Sequence, residues 1–233
     1  MDFESSKTLG GVGGVLIVVG SLLILGARAG ATSLGVASGA IVLVGLILVL
    51  VALSGLAGFY HEKSMFSNAL YSFVAGIVGV VASAVGLLYV VFDTSTLKNL
   101  LLELYPGWNG SWSTLSSYTG TSPNTSNISS STLLAFVGAL FAVLAILWVF
   151  LIVSGFFARR SLKTLGTKSS VSLFSTAALL GIIGAFLTIV FIGFVVIWVA
   201  VLLMTIAFFQ MRQQPMQVQA NVAQPSPSAP TPV

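Results

Sequence analysis

Cysteine is absent from all 233 residues. That rules out disulfides, thiolate nucleophiles and every cysteine-based metal site. The single histidine, His61, leaves no second imidazole for a zinc or haem centre. Charge is almost as scarce. Asp, Glu, Lys and Arg make up 6% of the chain, against roughly a quarter of a soluble domain. Nine Lys and Arg are too few for a nucleic-acid footprint, and no nucleic acid is expected as a partner. Catalytic signatures are missing too: there is no Gly-x-Ser-x-Gly elbow, no His-Glu-x-x-His and no aspartate pair within an apolar run. Gly10-Gly11-Val12-Gly13-Gly14 follows no strand and precedes no Gly-Lys-Ser/Thr, so it is not a phosphate loop. Neither an enzyme nor a cofactor is expected.

What the chain does have is apolar length. Hydrophobic residues make up 57% and the mean hydropathy is +1.08. Runs of about 18 or more apolar residues read as transmembrane helices, because about 20 residues cross the hydrocarbon. Such runs cover 9–27, 35–59, 69–92 and 133–157. A further stretch, 171–209, contains no charge, and as one helix it would reach about 58 Å, nearly twice the hydrocarbon thickness. It therefore divides into spans at about 171–187 and 191–209, with a tight turn between Ala185 and Gly193. The expected fold is an all-α integral membrane protein, a six-span helical bundle whose first partner is the lipid bilayer. The opening Met1 to Lys7 lacks the basic region of a signal peptide, so the first helix is expected to be retained. From Gln210 the composition turns to Gln, Pro, Ser and Ala, which predicts a disordered tail over 210–233.

The segment 93–131 is the one long polar interruption between spans. Leu97, Leu100, Leu101 and Leu104 share one helical face, and Pro106-Gly107 ends that run. The run is too short to cross. It either lies on the outer leaflet, anchored by Tyr105, Trp108 and Trp112, or packs as a lid on the bundle. After it, 113–131 is expected to be flexible. Three glycosylation sequons fall in this segment, at Asn109, Asn124 and Asn127, and such acceptors are used only where the chain faces outward.

Charge gives the orientation independently. Six spans place both termini on one side, together with Lys7, Lys63, Arg159, Arg160, Lys163, Lys168 and Arg212. Only Arg28 and Lys98 fall opposite. The positive-inside rule makes the crowded side cytoplasmic, so the sequons face out of a plasma membrane. Arg159, Arg160, Lys163 and Lys168 are read as a basic cytoplasmic turn after the fourth span.

Small residues four apart let helix backbones approach closely. Gly10 with Gly14, Gly35 with Gly39, and Ala75, Gly79 and Ser83 are the candidate packing ridges, either within the bundle or between copies of the chain. Ser72, Ser83, Ser154, Ser175, Thr176 and Thr188 are the hydroxyls available to line a polar path or to bond to neighbouring backbone. Two short similarities suggest an internal repeat of helical hairpins. Ser64-Met65-Phe66-Ser67-Asn68-Ala69 resembles Ser172-Leu173-Phe174-Ser175-Thr176-Ala177, and Gly76-Ile77-Val78-Gly79 resembles Gly181-Ile182-Ile183-Gly184. A rival match, Lys7-Thr8-Leu9-Gly10 with Lys163-Thr164-Leu165-Gly166, pairs the first span with the fifth instead.

The opening Met1-Asp2-Phe3-Glu4-Ser5-Ser6-Lys7-Thr8-Leu9-Gly10-Gly11, the stretch Met65-Phe66-Ser67-Asn68-Ala69-Leu70-Tyr71 and Ser161-Leu162-Lys163-Thr164-Leu165-Gly166 resemble an archaeal multi-span membrane family, domain of unknown function 996. The resemblance implies an archaeal plasma-membrane protein and assigns no activity and no functional residue. Two readings of function follow from the residues. One is a non-catalytic accessory or scaffold component that packs against other membrane proteins or itself. The other is a facilitator or channel for a small solute or ion.

Overall fold

A computed structural model of the chain describes residues 2–26, 32–93, 95–118 and 122–212. Arg28 and the tail beyond Arg212 lie outside the described residues, as do the expectations attached to them. The described residues form helices α1 (Phe3–Gly26), α2 (Thr32–Phe59), α3 (Lys63–Leu88), α4 (Ser95–Leu104), α5 (Ser130–Ser169), α6 (Ser172–Leu187) and α7 (Ile192–Gln210), and no strand. All but α4 are long and apolar enough to cross a membrane, which gives six candidate spans. The six-helix fold class expected from the apolar runs is the one observed.

Each span packs on the spans before and after it, and α7 returns to α1, so the six form a ring. The well-packed core lies toward the end where α1 begins and α7 finishes. There Phe3, Leu56, Met65, Leu165, Phe174, Phe208 and Met211 are all buried. Phe174 and Phe208 meet edge to face at 5.1 Å, a geometry that favours aromatic pairs beyond their buried area. The opposite half is much looser. Between Ser130 and Arg160, α5 has no fully buried residue.

The α3–α5 pair is a ladder of small contacts. Lys168 meets Glu62 at 2.8 Å, and the Ser161 hydroxyl donates to the Met65 carbonyl at 2.8 Å. Farther along, Ser154 meets Ser72, and a side chain on Gly79 would collide with Phe150. Both turns at this end use one device. His61 and Ser170 each adopt a left-handed backbone (φ 56° in both) two residues before α3 and α6 begin. The two hairpins thus share a turn geometry where their sequences look alike.

Three expectations need correction. Arg159, Arg160, Lys163 and Lys168 do not form a turn. They lie on α5, which continues through them to Ser169, because Arg, Leu and Lys are good helix formers and no proline interrupts them. The fourth span is accordingly the start of a 40-residue helix, about 60 Å long. Gly35 and Gly39 are not packing positions within the bundle, since among the described residues a Cβ on either would meet nothing within 4 Å. The close approach of α1 to α2 falls instead at Gly13 and Gly45, where each Cβ would lie 2.7 Å from the other's carbonyl oxygen.

The turn between α6 and α7 runs through Thr188–Val190 and then Phe191, which has φ 63°. Glycine is required at Gly193, because a side chain there would run into the backbone of Gly184 and Thr188. That contact lets the two helices reverse without a charged residue.

Candidate functional site

The six spans line a cavity of about 660 Å³ that is open to its surroundings on one side. Its lining is apolar except for Ser72, Ser154, Ser161 and Arg159. The three serine hydroxyls are engaged. Ser154 donates to the Ser72 carbonyl at 2.9 Å, its oxygen lies 3.1 Å from the Ser72 hydroxyl, and Ser161 donates to Met65. Arg159 is the one charged group of the lining among the described residues, and its side chain is exposed. A second hollow beside the cavity is lined by Ser54, Gly55, Gly58 and Phe59 of α2 and by Phe66 of α3.

The other hydroxyls proposed for a polar path turn to nearby backbone or to no partner. Thr188 donates to the Gly184 carbonyl at 2.8 Å and Thr176 to the Ser172 carbonyl at 3.4 Å. Ser83 has its oxygen enclosed without a partner among the described residues, and Ser175 is exposed on α6. Of the packing candidates, Gly10 faces the ring of Phe208 and Gly14 the Thr205 side chain, so both bring α1 onto α7. Gly79 faces α5, while Ala75 on the same helix is partly exposed. Gly13 and Gly45 escaped the four-residue spacing rule because neither has a small residue four positions away, Leu9 and Ile17 flanking Gly13 and Ile41 and Val49 flanking Gly45.

The basic residues of α5 have separate surroundings. The Arg160 guanidinium sits 5.0 Å from the centre of the Phe156 ring, within range of a cation–π contact. Lys168 is paired with Glu62, whose carboxyl is held below its ordinary range by the hydrogen bond and charge of that lysine. The three described carboxylates at this end are all engaged away from Arg159. Asp2 accepts from the Ser5 amide, Glu4 meets Lys7 at 3.6 Å, and Glu62 meets Lys168.

At the opposite end, α4 packs against α5. Leu100 is buried there, and so is Trp108, at 3% exposure. Trp108 is therefore no interfacial anchor. Its indole N–H donates to the Ser111 carbonyl at 2.8 Å and its ring packs on Trp112. The expected flexible loop carries short 3-10 turns at Trp112–Ser117 and Thr125–Asn127. Asn109 is exposed, and its side-chain oxygen accepts from the Ser111 amide and the Thr114 hydroxyl. Asn124 is also exposed and caps the Ser126 amide at 3.1 Å. Asn127 lies in the second 3-10 turn.

Six long apolar helices ringed about an apolar cavity define a polytopic helical membrane protein. Within that class, the chain belongs to the family described as protein of unknown function (DUF996), whose model matches residues 41–202. The match runs from α2 into α7. It takes in Met65–Tyr71 and Ser161–Gly166 and leaves the opening Met1–Gly11 outside. No curated protein and no solved structure matches the chain.

Proposed function

We propose that this chain is a non-catalytic component of the plasma membrane, an accessory or scaffold protein that packs against other membrane proteins. Both termini and the basic end of α5 face the cytoplasm in this reading, and Asn109, Asn124 and Asn127 face outward. The observation that carries it is the fate of the span hydroxyls. Ser72, Ser154 and Ser161 bond between α3 and α5, and Thr188 bonds to the Gly184 carbonyl of its own helix, so they are engaged by the fold rather than held out along a route for a polar solute. A conduit needs ligands arranged to replace a hydration shell, and the cavity wall offers mainly hydrocarbon. Support for docking comes from α5, whose first thirty residues leave apolar side chains such as Leu134 and Phe141 exposed.

The test is purification of the tagged full chain from its native membrane in mild detergent, with identification of what copurifies. A stoichiometric membrane protein that survives washing supports the reading. A partnerless protein that conducts a small solute in liposomes would overturn it in favour of a facilitator. Loss of a gel shift on deglycosylation in Asn109→Gln, Asn124→Gln and Asn127→Gln variants checks the orientation.

A further inference from the structure

The cavity poses a packing problem that the chain alone does not solve. Protein interiors pack to the density of organic crystals, and an opening of about 660 Å³ forfeits the dispersion contacts of its lining. Water is a poor filler, because a buried water needs two to four polar partners and the serines of the wall are already bonded. At roughly 30 Å³ for a water-sized group, the volume holds about twenty such groups, the scale of a hydrocarbon chain.

The wall is also open on one side. Of the neighbouring pairs in the ring, α2 and α3 touch least. Leu43 and Leu46 on α2 and Ile77 and Val80 on α3 line the cavity while remaining 41–61% exposed. In a bilayer that gap faces acyl chains, so a chain enters sideways without crossing a polar surface.

Charge then selects among lipids. Among the described residues, Arg159 is the only ionisable group of the lining. Among the described residues it has no acidic partner, since Asp2, Glu4 and Glu62 are all engaged elsewhere. Arg160 rests on Phe156 and Lys168 on Glu62, which leaves the Arg159 guanidinium as the free cation of the cavity. Its planar fork matches a phosphate oxygen pair. We propose that the cavity is a binding site for one anionic, phosphate-bearing membrane lipid. Its hydrocarbon chain lies inside the ring and its phosphate rests on Arg159. The proposal goes beyond a scaffold role and stands whether or not a protein partner is found.

Native mass spectrometry of the full chain in mild detergent tests it, with phosphatidylglycerol and phosphatidylcholine offered in equal amounts. Wild type is expected to hold one phosphatidylglycerol with about a fivefold preference, the scale that one basic residue contributes near anionic lipid. Arg159→Gln is expected to remove that preference, and Lys168→Gln to keep it. Gly181→Leu places four carbon atoms in the cavity. A Cβ at Gly181 has its nearest neighbour, Ala200, at 4.0 Å, so the variant is expected to fold and to hold less of both lipids. Should it fail to fold, Arg159→Gln still decides, because that side chain is exposed. Equal retention of the two lipids by wild type would overturn the proposal. So would an unchanged preference in Arg159→Gln, an equal loss in Lys168→Gln, or undiminished lipid in a folded Gly181→Leu.

Discussion

The Glu103 carboxylate accepts a hydrogen bond from the Thr132 hydroxyl at 2.7 Å, and that contact joins α4 to the first turn of α5. The same carboxylate accepts from the Ser129 amide at 2.8 Å and the Ser129 hydroxyl at 2.9 Å. Ser129 is itself the N-cap, accepting from the Thr132 amide at 3.2 Å. A negative charge beside a helix N-terminus is favourable, because the first amides of the helix are unpaired and partly positive. The loop is thereby tied to the helix that carries most of its weight.

The pH dependence of that tie has a definite sign. The Thr132 hydrogen bond, followed by the Ser129 amide, holds the Glu103 carboxyl below its ordinary range. A depressed carboxyl contributes stability that is present above the unfolded-state value and is lost as pH falls through the folded one. Glu103→Gln is therefore expected to lower the melting temperature near neutrality. The gap between wild type and variant should begin to narrow near about pH 4, where the carboxyl of the unfolded chain protonates, and close as pH falls through the lower folded-state value. Thermal melts in detergent across that range check it, and a pH-independent gap would assign the effect to packing alone.

Gly13 and Gly45 make the second prediction. Each blocks a Cβ with the other's backbone carbonyl at 2.7 Å, and backbone cannot rotate out of the way as a side chain can. Gly13→Ala or Gly45→Ala should cost about 1–3 kcal/mol, the usual scale of overpacking. Gly35→Ala and Gly39→Ala, with open space at their Cβ positions, should be neutral or stabilise by up to about 1 kcal/mol through helix propensity. Denaturant titrations of the four variants separate the two groups. Similar effects in all four would remove the distinction.

The same glycines show where sequence reasoning stops. Apolar length alone marked six helices, because hydrocarbon thickness dictates the run that must be unbroken. Nothing in the chain says which glycine meets which helix. Gly35 and Gly39 have the spacing of a packing ridge and meet nothing among the described residues of the bundle, whereas Gly13 and Gly45 have no motif and touch. The end of α5 was hidden for a different reason. Arg159 to Lys168 reads as a turn by charge, yet helix propensity continues through it and the helix stops only at the left-handed Ser170. The cavity was illegible altogether. It depends on six helices leaving space between them, and the charge of Arg159 acquires meaning only from the carboxylates that are occupied elsewhere.

Ser72 and Ser154 give the last prediction. They are 82 positions apart in the chain and form a reciprocal pair between α3 and α5, one hydroxyl 3.1 Å from the other and Ser154 donating to the Ser72 carbonyl at 2.9 Å. Interhelical hydrogen bonds in membranes contribute about 0.6 kcal/mol on average, because the separated helices also find partners. Ser154→Ala should cost about that much or somewhat more, since it removes both contacts. Ser72→Ala should cost less, because the backbone carbonyl remains. The double variant should then match Ser154→Ala rather than the sum of the singles, with a coupling of a few tenths of a kcal/mol or more. A double-mutant cycle by denaturant titration measures it. Strict additivity would mean that the two hydroxyls act separately.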